Sequence, residues 1–162
     1  LLPRLSLVDV SGIELPADLV RNALRLRSGR SWLGRWTELV RNSLLDWELT
    51  LELPDGSGPW FGSAAVVLPV RRADGSPAVL KVTIPHDEAL PEPDALTLWD
   101  GRGAVRLLEA ARDDFVLLLE RLDGDQSLGG LPLDETAGIW GNLVRDLTLR
   151  PGSGALWQGI PS

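Results

Sequence analysis

Residues 71–82 read RRADGSPAVLKV. Asp74-Gly75 is a pair that favours tight hairpins, because such turns need the positive φ that glycine adopts without strain. The flanking stretches, AAVVLPV at 64–70 and AVLKVTI at 78–84, have the β-branched composition of strands. Residues 64–72 and 77–84 are therefore expected to pair antiparallel. In the second strand Val79, Lys81 and Thr83 share one face, while Leu80, Val82 and Ile84 share the other. A lone lysine thus stands at strand centre, opposite the more apolar face. Most strand lysines are simply wet, at an edge or on a solvent face, and taken alone Lys81 reads that way.

Upstream, residues 16–45 carry helical periodicity. Leu19, Val20, Ala23 and Leu24 form one stripe behind Pro16, and Gly29 marks a break. A second helix is expected from Ser31 as N-cap, stacking Trp32, Trp36, Leu39, Val40 and Leu44 on one side. The period then switches: WELTLEL at 47–53 alternates, with Trp47, Leu49, Leu51 and Leu53 on one face, and reads as a half-buried strand. PDGSGPWFGS at 54–63 is a loop by its glycines and prolines.

Downstream, PEPDALTLWDGRG reads as a short helix from about Asp94 to Trp99, closed by Gly101. AVRLLEA at 104–110 and FVLLLERL at 115–122 are two further strands. DGDQSLGG has linker composition, and the segment after it is an amphipathic helix with Asp134 as N-cap. Its apolar stripe is Trp140, Leu143, Val144 and Leu147, and Pro151 and Gly152 stop it. The expected fold class is α+β, with a five-stranded antiparallel sheet and one helix between strands 3 and 4.

Composition excludes several functions. The net charge of −7 argues against nucleic-acid binding, which draws its affinity from clustered Lys and Arg. The arginines at 21–41 alternate with Leu and Trp at helical spacing, as on a solvated helix face. Cysteine is absent and His86 is the single histidine, so thiolate metal sites are ruled out and histidine-based catalysis is poorly supported. No apolar run approaches the ~20 residues of a membrane helix, and residues 1–10 lack the pattern of a signal peptide, so a cytoplasmic protein with no membrane partner is expected.

The order strand, Gly-rich loop, strand, Asp-Gly turn, strand with lysine, helix with an acidic start, two strands and linker resembles the small lobe of kinase-like phosphotransferases. VLPVRRADGSPAVLKV, ALTLWDGRGAVRLLEA and VLLLERLDGDQSL narrow the resemblance to the aminoglycoside phosphotransferase superfamily, in particular its streptomycin 6-kinase and hydroxyurea phosphotransferase group. WDGRGAVRLL at 99–108 is the most specific piece, and the likeness runs from about Ile13 to about Arg150.

The resemblance implies three segments: an N-terminal helical extension at 1–46, a nucleotide-binding small lobe at 47–122, and at 123–162 a hinge linker with the first helix of a large lobe. It implies ATP with Mg2+ as cofactors and a small-molecule acceptor. Lys81 becomes the phosphate-contacting lysine, and Glu92 or Asp94 its carboxylate partner, with Glu92 preferred. Gly58, Gly62 and Ser63 fall in the phosphate loop, although the spacing Gly56, Gly58, Gly62 departs from the protein-kinase pattern. Glu120 and Leu122 fall at the hinge, where backbone groups would hold adenine. The catalytic base and metal ligands of the family have no counterpart here: His86 precedes Asp87 rather than a Gly-Asp pair, and RDL at 145–147 lies in a helix. The chain alone is expected to be inactive, with no catalytic residue and no metal ligand of its own. Trp140 and Leu147 are expected to be exposed and to favour self-association. The alternative is a lobe-only binding or interaction module without transferase activity.

Overall fold

A computed structural model describes residues 10, 12–53, 59–123 and 128–148. The polypeptide opens with a helical hairpin, α1 (Ala17–Arg25) and α2 (Gly29–Asp46). The elbow between them is tight: a Cβ on Gly29 would lie 1.7 Å from the Ala23 carbonyl oxygen, so no other residue fits without moving backbone. Helix α2 therefore starts at Gly29, and Ser31, expected as its N-cap, lies inside it. The expected stripe of Trp32, Trp36, Leu39, Val40 and Leu44 is buried.

Among the described residues six strands follow in one antiparallel sheet: β1 (Thr50–Leu51), β2 (Trp60–Phe61), β3 (Ala65–Arg71), β4 (Pro77–Thr83), β5 (Leu107–Ala111) and β6 (Val116–Glu120). The order is β1-β3-β4-β6-β5, with β2 also on β3. The expected count of five misses β2, whose two residues pair with Val66 and Val67. The expected strand at 47–53 shrinks to two residues because Glu48 takes a left-handed φ of 50° where the chain turns off α2. Gly75, at φ 84°, closes the β3–β4 hairpin, and Asp74 accepts hydrogen bonds from the Ser76 amide and hydroxyl.

Helix α3 (Glu92–Trp99) connects β4 to β5 and starts two residues before the expected Asp94. Helix α4 (Leu133–Leu147) follows the sheet; Asp134 stands in its first turn rather than at the cap. Trp140 is exposed as expected and Leu147 is not; Val144, for which no exposure was expected, is exposed as well. Leu143 and Leu147 lie against Gly103, and the Leu147 carbonyl accepts a 3.1 Å hydrogen bond from the Trp99 indole, which fastens α4 to α3. Pro151 and Gly152 lie outside the described residues.

The sheet separates two apolar clusters. On one face Val66, Leu68, Leu80, Val82 and Leu118 pack with Trp32, Trp36 and Val40 of α2. On the other, Leu96 of α3 packs with Leu117 and Leu119. Among the described residues no helix is long and apolar enough to cross a membrane.

Candidate functional site

Strand β4 lies between β3 and β6, and Lys81 is paired with Val67 on one side and Leu117 on the other. It is an interior-strand lysine, so the reading of a wet edge position does not hold. Its neighbours Leu80 and Val82 are fully buried on the α2 face, which turns Lys81 to the thinner α3 face. There its side chain is only 24% exposed, and it forms an ion pair with Glu92, itself 29% exposed. Glu92 is the first residue of α3, where the unpaired amides of the helix favour a carboxylate. The other candidate, Asp94, points elsewhere: it bridges to Arg112 at 2.8 Å, with both side chains more than half exposed.

Around the pair lies an open cleft of about 430 Å³, lined among others by Gly62, Ser63, Val67, Lys81, Thr83 and Glu92. The Gly62 amide is occupied, donating to the Ala65 carbonyl at 2.9 Å in the turn from β2 to β3. Ser63 stands at the tip of that turn. Thr83, two residues beyond Lys81 on the same face, is 4% exposed, and its hydroxyl has no hydrogen-bond partner. A buried, unpaired hydroxyl beside an ammonium is chemistry suited to a polar ligand. His86 also lines the cleft; its Nδ1 is 2.6 Å from the Ile84 carbonyl, which can only accept, so Nδ1 carries the proton.

The two hinge candidates do not reach Lys81. Glu120 pairs with Ala78, three positions along β4, or roughly 10 Å from the lysine. Its carboxylate accepts from the Arg106 amide at 2.7 Å, and Leu122 is exposed. Gly56 and Gly58 lie outside the described residues. Sequence reasoning missed a bracket joining the segments after β1 and β6 to the end of β3: Glu52 accepts from Arg71 and from Arg121, each at 2.7 Å. Arg121 first, and Arg71 second, hold the Glu52 carboxyl below the usual glutamate range. In the alternating stretch 47–53 Glu52 falls on the face opposite Leu49 and Leu51, and nothing local points to a partner 69 residues away.

Among the described residues no three His, Asp or Glu side chains gather as metal ligands would. The geometry is that of a charge held at fixed depth beside an open cleft, with a carboxylate keeping it extended.

Residues 53–151 match the family described as aminoglycoside/hydroxyurea antibiotic resistance kinase. The chain is 44% identical to the hydroxyurea phosphotransferase of Kitasatospora aureofaciens over 122 residues, which cover 74% of this chain and 34% of that protein. It is 35% identical to a streptomycin 6-kinase of Streptomyces glaucescens, over 86% of this chain and 45% of the relative. A streptomycin 6-kinase of Streptomyces griseus is 34% identical over 93% and 52%. The chain thus spans about a third to a half of the length of these curated relatives. No solved structure matches it.

Proposed function

Because the chain belongs to the aminoglycoside/hydroxyurea antibiotic resistance kinase family, we propose that it is the nucleotide-holding small lobe of an ATP-dependent phosphotransferase acting on a hydroxyl of a small molecule. The observation that carries this reading is the Lys81–Glu92 pair at the floor of the cleft. ATP, when bound, supplies the phosphoryl group that passes to the acceptor oxygen.

The chain's own residues bind and orient. Lys81 presents a compact positive charge to phosphate oxygens, and charge-assisted hydrogen bonds of this kind are about twice as strong as neutral ones. Glu92 holds the lysine extended when the cleft is empty, so little side-chain entropy is lost on binding. Ser63 and the turn around it, which line the cleft, offer further donors. The backbone of 120–122 is the proposed adenine contact, its path braced by the Glu52–Arg121 ion pair.

Mg2+ does not fit the described residues, which gather no ligand set for it. The base and metal ligands of a phosphoryl transfer belong to a second lobe, on this reading, and the 162-residue chain alone is inactive. The exposed apolar residues of α4, Trp140 and Val144 among them, favour self-association of the lobe, and the proposed location is the cytoplasm.

The test is a phosphorylation assay on protein of the relatives' length, with ATP and with streptomycin or hydroxyurea as acceptor. A phosphorylated product from the longer protein, none from the 162-residue chain, and a loss of at least about a hundredfold in Lys81→Ala are expected. Turnover by the 162-residue chain would refute its proposed inactivity. Full activity in Lys81→Ala would refute the site.

A further inference from the structure

The helical hairpin touches the cleft end of the sheet at two polar points. The Asn22 side-chain amide of α1 donates to the Ser63 carbonyl at 2.9 Å, and the Ser28 hydroxyl in the elbow donates to the Pro85 carbonyl at 2.6 Å. The acceptors belong to the two chain segments that flank the cleft. Ser63 tops the β2–β3 turn that carries Gly62; Pro85 leaves β4 and leads through His86 and Ala89 to Glu92. These segments are adjacent, since Ala65 pairs with Thr83 and the Ile84 amide donates to the Ala64 carbonyl at 2.8 Å. Spacing between the two donors is fixed by the elbow, where the Leu26 amide binds the Ala23 carbonyl and Gly29 permits the close crossing. Neither contact is needed for burial: Asn22 and Ser28 are both partly exposed, and the hairpin is already held by Leu19, Ala23 and the buried face of α2.

We propose that Asn22 is a positioning residue for the phosphate-binding turn, holding Ser63 at the height where its hydroxyl and neighbouring amides meet the nucleotide, with Ser28 as the second anchor. The inference rests on the nucleotide reading above. It makes the N-terminal hairpin part of the nucleotide site. A β-turn tip that is anchored has less conformational freedom to lose when phosphates bind, so the benefit appears in affinity.

The experiment is an amide NMR titration of the 162-residue chain with ATP, in wild type, Asn22→Asp, Asn22→Gln and Lys81→Ala, with thermal midpoints measured alongside. Asn22→Asp keeps the side-chain shape but offers a carboxylate, which cannot donate to a carbonyl. Its ATP Kd is expected to rise about three- to tenfold, the range of one net hydrogen bond, with a thermal midpoint within about 2 °C of wild type. Asn22→Gln keeps the donor and restores part of the affinity. An unchanged Kd in Asn22→Asp, while Lys81→Ala binds more weakly, overturns the positioning role and leaves the nucleotide reading standing. A fall in midpoint with no change in Kd overturns it too, as the mark of a merely structural bond. Absence of ATP binding by wild type overturns the nucleotide reading and this inference with it.

Discussion

Leu80 and Lys81 are neighbours in β4 that face opposite sides of the same sheet, and the two sides are built for different work. Beneath Leu80 lies a dry interior: Leu68, Leu80, Val82, Ile84, Val66 and Val70 are fully buried, and α2 covers them with two tryptophans. Beneath Lys81 lies a thin layer of three buried leucines, an ion pair and an open cleft, covered by an eight-residue helix. The thick face can carry stability, which frees the thin face to hold a charge and a buried unpaired hydroxyl that a stability-driven core would exclude.

Substitutions on the two faces should therefore separate stability from binding. The largest effect is expected from Leu80→Ala, which leaves a cavity in the dry interior and costs about 2–5 kcal/mol in chemical denaturation. A loss below about 1 kcal/mol there would mean that the α2 face does not dominate stability.

Glu92→Gln should cost about 1 kcal/mol, because it leaves Lys81 partly buried beside a neutral amide. Asp94→Asn breaks an exposed pair with Arg112 and should stay within about 0.5 kcal/mol. If the two cost the same, the thin face makes no distinction between its carboxylates.

The smallest effect concerns the Glu52 bracket and appears only as a function of pH. Arg121 and Arg71 depress the folded-state Glu52 carboxyl, so its contribution is full above the ordinary glutamate value and fades as pH falls through the depressed one. The difference in thermal midpoint between wild type and Glu52→Gln should therefore shrink below about pH 4. A difference that grows on acidification would contradict the bracket.

Much of this was legible in the sequence where one local rule acted without competition. The β3–β4 hairpin follows from Asp74-Gly75 and two β-branched runs, and the α2 stripe from helical spacing of Trp32, Trp36, Leu39 and Val40. At 47–53 the alternation holds in burial as far as Leu51, but Glu48 turns the chain and only Thr50 and Leu51 pair as a strand. Strand β2 was hidden because two residues, Trp60 and Phe61, are too few to show a period and stand beside a Gly- and Pro-rich run. At the site, the choice of Glu92 over Asp94 came from resemblance, and the geometry places Glu92 at Lys81 and Asp94 at Arg112. Asn22 and Glu52 were invisible because their partners are 41 and 69 residues away and no local pattern encodes a contact of that range.

The most direct test of the central claim is the ATP affinity of wild type against Lys81→Ala, read by isothermal titration with thermal midpoints in parallel. At least a tenfold weaker Kd is expected in the variant, with a midpoint lowered only by the few degrees that breaking the Glu92 pair costs, because the thick apolar face is untouched. Equal affinity in the two proteins would contradict it, and Lys81 with Glu92 would then be an ion pair that serves the fold alone.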